Sequence, residues 1–221
     1  MPMCGRLCVP LPDSCAPRSN ILPDTDDRQI RVPLRQFLCQ EYCNDPDTVV
    51  IEELGLRHGF CRVDLAVVNG SLHGFEIKSD RDTFRRLARQ AETYNRVLDF
   101  ITVVVGERHA NEIMGVSPPW WGIQLAKFDR LDGMKFIQVR EPSENPSPDK
   151  LAIAKLLWRQ EALAFLEKLG AAEGLRSKPR PLIYLRLAEV ARVDALRSYV
   201  RDRLRFRNGW RSGEQQMSCD R

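Results

Sequence analysis

The chain predicts an α/β fold in which a sheet flanked by helices is followed by a wholly helical segment. Three observations carry that expectation. Short Val-, Ile- and Leu-rich runs of strand length stand at 48–54, 63–68, 72–77, 101–105 and 121–126, with an amphipathic helical stretch between the third and the fourth. An Asn69-Gly70 pair separates the second run from the third at hairpin spacing. Beyond a Pro- and Ser-rich stretch at 141–149 the apolar spacing is helical. With 221 residues, 43% of them hydrophobic and 29% charged, the chain is long enough for one substantial core or a core with a small appended domain.

Residues 1–23 hold five prolines and three cysteines without periodicity and read as a flexible leader. Asp26 and Asp27 are helix-capping residues, and Ile30, Leu34, Phe37 and Leu38 then recur at helical spacing. Pro33 falls in the second turn, near the start, where proline does least damage. Asn44-Asp45-Pro46-Asp47 ends this helix, and the first three strands follow. Residues 81–98 form the next helix: Phe84, Leu87, Ala88, Ala91, Tyr94, Val97 and Leu98 make one stripe, with Arg85, Arg86, Arg89 and Arg96 off it and Asp80 or Asp82 as its cap. Two further strands complete a core over 24–140. Residues 141–149 read as a linker, and 150–221 as a basic helical subdomain with helices at 151–169, 182–191 and 193–206.

The informative anomaly lies in the hairpin. Asp64, Glu76 and Lys78 sit in apolar strands, where each charge costs several kcal/mol unless something pairs with it. Alternation puts Glu76 and Lys78 on one face and Phe75 and Ile77 on the other, and it sets Val63, Leu65 and Val67 against Asp64. A two-residue turn would pair Asp64 with Phe75. Aligning Asp64 with Glu76 needs an odd loop, such as Asn69-Gly70-Ser71, or a bulge. Two ionised carboxylates so placed repel one another, and a hard divalent cation, Mg²⁺ or Mn²⁺, removes that penalty. A lysine beside such a site would orient an attacking water or stabilise developing negative charge, which is the chemistry of phosphodiester hydrolysis.

Asp64, followed beyond a turn by Glu76-x-Lys78, resembles the PD-(D/E)XK nuclease superfamily, and the order helix, three strands, helix, strand matches its αβββαβ core. Val63 stands where the superfamily's name has proline. Gln90-x-x-x-Tyr94 resembles the additional motif of the RecB-like exonuclease branch, and Glu76-Ile77-Lys78-Ser79-Asp80 with the Arg-rich helix after it looks like the MmcB-type DNA-repair branch. Trp120-Trp121-Gly122 and Leu157-Trp158-Arg159-Gln160-Glu161 are similar to a bacterial family often tied to mobile elements. The resemblance covers about 26–126 and implies a restriction-endonuclease-like core that hydrolyses DNA. Its catalytic set would be Asp64, Glu76, Lys78 and Gln90, with the metal held by Asp64, Glu76 and the Ile77 carbonyl and the substrate strand placed by Gln90. The superfamily often adds an upstream acid. Glu52 and Glu53 point opposite ways on the first strand, and spacing favours Glu53. Arg62, Arg85 and Arg89 are candidate phosphate contacts, while Tyr94 lies on the apolar stripe with only its hydroxyl available to a ligand.

Charge is uneven along the chain. Residues 1–149 carry 18 Lys/Arg against 22 Asp/Glu, and residues 150–221 carry 16 against 8. A basic tail beside an acidic site suits a polyanionic partner, DNA or RNA, and equally a non-catalytic nucleic-acid-binding or regulatory module on the same fold. A homodimer or a partner protein is compatible with the sequence. No apolar run approaches the ~18 residues of a membrane span and the N-terminus lacks a secretory pattern, so a cytoplasmic protein with its seven cysteines reduced is expected. Cys4, Cys8, Cys15, Cys39, Cys43 and Cys219 match neither a zinc nor an iron–sulfur spacing.

Overall fold

A computed structural model describes residues 24–207, the His58 side chain excepted. The expected leader over 1–23, with Cys4, Cys8 and Cys15, and residues 208–221, with Cys219, lie outside the described residues. The molecule is mixed α/β. Six strands lie side by side in chain order: β1 (Val49–Leu56), β2 (Cys61–Val68), β3 (Leu72–Lys78), β4 (Phe100–Gly106), β5 (Gly122–Asp129) and β6 (Gly133–Arg140). Neighbours are antiparallel except β3, β4 and β5, which run parallel. The parallel steps are bridged by α2 (Leu87–Val97) and by the short α3 (Ile113–Val116), as parallel neighbours require a crossover. Strand β6 was not expected. It is an edge strand with Lys135, Ile137, Gln138 and Val139 exposed, so its alternation is too weak to separate from a loop.

Helix α1 (Asp27–Glu41) begins in a reciprocal cap: the Asp26 carboxylate accepts the Gln29 N–H at 2.9 Å, and Gln29 Oε1 accepts the Asp26 N–H at 2.8 Å. Its Ile30, Leu34 and Leu38 are buried against Leu65, Val67, Phe75, Ile77 and Val104, and cover one face of the sheet. Burial of each is worth about 1.5–3 kcal/mol relative to exposure. Phe37, from the same predicted stripe, stands 40% exposed at the rim against Phe136. Neither Asp80 nor Asp82 caps α2. Asp80 accepts the Thr25 N–H and hydroxyl and so ties the start of α1 to the β3–α2 loop, and Asp82 accepts from Ser79.

The opposite face is covered by α2 together with α4 (Lys150–Ala154), α5 (Arg159–Lys168), α6 (Arg180–Val190) and α7 (Val193–Phe206). Val103, Trp121, Ile153, Leu166, Leu187 and Val200 belong to one continuous core, so the helices after residue 149 share the core of the sheet. The expected linker at 141–149 is a pinned strap: Ser143 N–H donates to Trp120 O, Asn145 N–H to Asp99 O, and Asp149 N–H to Arg96 O. The single helix expected over 151–169 is two. The break leaves carbonyls at Leu156 and Leu157, which accept from the Arg207 guanidinium and the Tyr184 hydroxyl, each at 2.8 Å, and Glu161 restarts the helix by accepting the Trp158 N–H at 2.6 Å. None of the described helices is long and apolar enough to cross a membrane.

Candidate active site

A change of face in the sheet builds the site. On β2, Leu65 and Val67 lie under α1, whereas Ala66, Val68 and also Val63 lie under α2. Strict alternation forbids that combination. On β1 the parity changes at the same level, with Ile51, Leu54 and Leu56 all on the α2 side. Between them Glu53 adopts φ +52°, in the left-handed region that a non-glycine residue seldom occupies. The register β1–β2 runs Glu52↔Leu65 then Leu54↔Val63, which puts Glu53 abreast of Asp64 at the point of exchange. The expectation that Val63, Leu65 and Val67 share one face is therefore corrected: the kink at Glu53 breaks the period.

The hairpin loop is the odd one. Val68 pairs with Leu72 across Asn69-Gly70-Ser71, and Asn69 Oδ1 accepts the Ser71 N–H at 3.0 Å. The ladder β2–β3 stops at Leu65↔Phe75, and one residue further it brings Asp64 level with Glu76. There the backbone pairing is replaced by a side chain, since Ile77 N–H donates to Asp64 Oδ2 at 2.7 Å.

Two clusters of charge meet at this point. Glu76 is 2% exposed and Lys78 about as buried, with Lys78 Nζ 2.5 Å from Glu76 Oε1. Gln90 bridges them, donating to Glu76 Oε1 at 2.7 Å and accepting from Lys78 at 3.2 Å. The Tyr94 hydroxyl lies 2.6 Å from Glu76 Oε2 and 2.7 Å from the Arg62 carbonyl. Arg31 of α1 holds the second cluster, donating to Asp27, to Glu53 at 2.8 Å and to Asp64 Oδ1 at 2.7 Å. Arg62 adds an ion pair to Glu53 at 3.2 Å.

Burial, and then the neighbouring charge of Glu76, push the Asp64 carboxyl up to about 6, although the Ile77 N–H and Arg31 pull the other way. Burial and the charge of Glu76 hold the Tyr94 hydroxyl protonated far above its ordinary range. Burial opposes the charge of Arg31, but Asp27 and Asp64 more than offset it and hold that guanidinium charged. Burial likewise raises the Cys61 thiol, which disfavours it as a nucleophile.

These groups open onto a cleft of about 580 Å³. Of the residues singled out in the sequence, Glu53, Arg62, Asp64, Glu76, Ile77, Lys78, Arg89 and Gln90 line it together. Tyr94 lies fully buried behind them and reaches the site by its hydroxyl alone. Arg85 is exposed and does not line the cleft; Arg86, one position along the turn before α2, does. Glu52 turns away to pair with Arg35. Trp121 is fully buried with its indole N–H on Asn95.

Sequence reasoning missed Arg31, and with it Arg57 and Phe60 on the cleft wall. The available signal was Asp27-x-x-x-Arg31, one turn apart on α1, which by itself reads as an ordinary solvated pair. Among the described residues no group of three or more His, Cys, Asp or Glu is placed to hold a metal ion. The carboxylates of Asp64 and Glu76, on adjoining strands, line one cleft, and Mg²⁺ is commonly held by one or two carboxylates with water and substrate phosphate completing its shell.

A family model described as Bacteriophage P4 protein cII matches residues 24–216. The chain is 30% identical over 87 residues to Protein cII of Enterobacteria phage P4, a match covering 39% of this chain and 33% of that protein, so it spans about a third of the relative's length. A solved structure of a protein of unknown function from Silicibacter pomeroyi aligns at 23% identity and a TM-score of 0.37, covering 63% of this chain and 90% of that one.

Proposed function

We propose that this chain, which belongs to the Bacteriophage P4 protein cII family, is a metal-dependent nuclease that hydrolyses DNA phosphodiester bonds on a restriction-endonuclease-like, PD-(D/E)XK core. The observation that carries the reading is the placing of Asp64 level with Glu76 on adjoining strands at the floor of an open cleft, with Lys78 held against Glu76. Arg31 and Lys78 each take one of the two acids, and a bound cation would relieve the repulsion that remains between them.

Asp64, Glu76 and the Ile77 carbonyl, with Glu53 at the edge, would hold Mg²⁺ or Mn²⁺. When bound, the ion supplies Lewis acidity toward a phosphoryl oxygen and makes water a stronger acid. The protein's own groups do the rest. Lys78, aligned by Glu76 and Gln90, presents an ammonium to an incoming water and to the negative charge that develops on the phosphate. Gln90 fixes the orientation of the Glu76 carboxylate, and the Tyr94 hydroxyl supports it from behind. Arg31 is the exchangeable partner, because binding a cation at Asp64 would release its hold on that carboxylate. Arg62 and Arg89 line the cleft where phosphates would lie.

Incubation of supercoiled and linear DNA with the full chain and Mg²⁺ or Mn²⁺ tests this. Cleavage that Lys78→Ala abolishes is expected, and equal cleavage by the variant sinks the assignment. A second reading, a non-catalytic nucleic-acid-binding module, draws on Arg31, which already compensates Asp64 and Glu53. Binding that survives Asp64→Ala and Glu76→Ala, with no cleavage under either metal, would favour it.

A further inference from the structure

The cleft does not end at β1. A second cavity of about 420 Å³ abuts it and shares Glu53, Gly59 and Arg62 as a common wall. Its far side comes from the C-terminal helices, with Lys155, Trp158, Arg180 and Arg207 lining it. Glu53 is its one acidic wall residue among the described ones. In the first cavity Arg57, Arg86 and Arg89 are exposed, and like Lys155 and Arg180 they have no acidic partner among the described residues. The floor is thus acidic and the approaches on both sides are basic.

Two aromatic rings stand exposed along this path. Phe60, on the cleft wall, is 90% exposed, and Trp158, in the second cavity, is 56% exposed. The fold spends neither on its core. The Arg207 guanidinium lies 4.5 Å from the Trp158 ring centroid, and Arg207 is itself buried and fastened to Glu161 and the Leu156 carbonyl, so the ring is held from one side. A rigid, half-exposed ring beside cations such as Lys155 and Arg180 suits an unstacked base between phosphates. A duplex keeps its bases stacked and paired, so it offers backbone and groove edges but no free base face to an aromatic ring.

We propose that the two cavities form one channel for a single-stranded polynucleotide, with Trp158 and Phe60 as stacking platforms and Lys155 and Arg180 as phosphate contacts. The inference deepens the nuclease reading and rests on it only for the use made of the bound strand. Under it, a single strand is drawn from the helical side across β1 to the Asp64–Glu76 floor.

Fluorescence anisotropy of the full chain in EDTA, with labelled single-stranded DNA, single-stranded RNA and a blunt duplex of one sequence, tests binding without cleavage. Either single strand should bind at least about tenfold tighter than the duplex, and the tighter of the two names the sugar. Trp158→Ala should weaken single-strand binding about 5- to 150-fold, the worth of one stacked base, while Trp158→Phe keeps most of it. Lys155→Ala with Arg180→Ala should flatten the salt dependence by about 1.4 in log K against log salt. Lys127→Ala with Lys135→Ala, at the far edge of the sheet, should change nothing. Equal affinity for duplex and single strand, or wild-type affinity in Trp158→Ala, overturns the channel. Metal-dependent cleavage without strand preference would sink the channel and leave the nuclease. Trp158-dependent binding without cleavage would do the reverse.

Discussion

Glu76 and Asp99 are both acids almost wholly removed from solvent, at 2% and 4% exposure, on strands or strand ends of one sheet, yet their surroundings differ in kind. Asp99 accepts from the Leu72 N–H at 2.8 Å and from Arg201 at 3.2 Å and forms an ion pair with Arg197 at 2.8 Å that lacks hydrogen-bond geometry, while its backbone binds Leu72 and Asn145. It locks β3, the strap and α7 together. Glu76 has a lysine, an amide and a phenol around it, and its charge also raises the carboxyl of Asp64. Burial of an acid is therefore a poor sign of chemistry. Asp99 too lines a cavity, with Glu144 and Asp194, and what separates the two sites is that the charge of Glu76 raises a neighbouring carboxyl, that of Asp64.

The comparison can be broken most forcefully at Asp99. Asp99→Ala leaves Arg201 without its acid among the described residues and Arg197 with only the exposed Glu144, and should cost about 3–5 kcal/mol in urea unfolding. A loss below about 1 kcal/mol would mean that Asp99 is not a structural lock. At the other site both charges can be removed at once. Glu76→Gln with Lys78→Met should leave stability unchanged or raise it, since replacing a buried ion pair with neutral groups is often neutral or favourable. The same variant should lose cleavage by at least about 10²- to 10³-fold. Wild-type cleavage by it would move the chemistry elsewhere.

Acid titration sharpens the contrast next, by about 3 kcal/mol in each of two opposing directions. Asp64 is raised from 3.8 to about 6, so the folded chain binds more protons between those values and stability should fall as pH rises from about 4 to 6. Burial lowers His73 from 6.5 to about 4, so there the unfolded chain binds more protons and stability should rise across nearly the same window. The two slopes nearly cancel in the parent. Urea midpoints should then fall with pH in His73→Gln and rise with pH in Asp64→Asn. The same sign in both variants would contradict the assignments. The smallest effect is expected for Tyr94→Phe, which removes a hydrogen bond to a charged acceptor worth about 1.5–3 kcal/mol, with cleavage reduced but still measurable. Complete loss would promote Tyr94 from a support of Glu76 to something more.

Much of this was legible in the chain. The first five strands announced themselves by short apolar runs, and the demand that Asp64 and Glu76 align implied an odd loop or a bulge, which the three-residue loop of the hairpin meets. Gln90 and Tyr94 were readable because one helical turn separates them. The face exchange was not readable, because nothing in the sequence around Glu53 marks a left-handed backbone where glycine would have given notice. Arg31 was hidden for a different reason: its partners Glu53 and Asp64 lie 22 and 33 residues away, and local periodicity carries no information at that range. The break between α4 and α5 escaped because Lys155–Trp158 contains neither glycine nor proline. The carbonyls it frees are claimed by residues near positions 184 and 207.

The shared core under α4–α7 has a consequence for how the chain is made. While the ribosome is still adding those helices, the broad face carrying Val63, Val103 and Ile123 has emerged with only α2 to shelter it. A nascent or prematurely terminated product would present that surface as a target for chaperones and for self-association. Trp158, Arg180 and Arg207 would reach their places only once the final helices had docked.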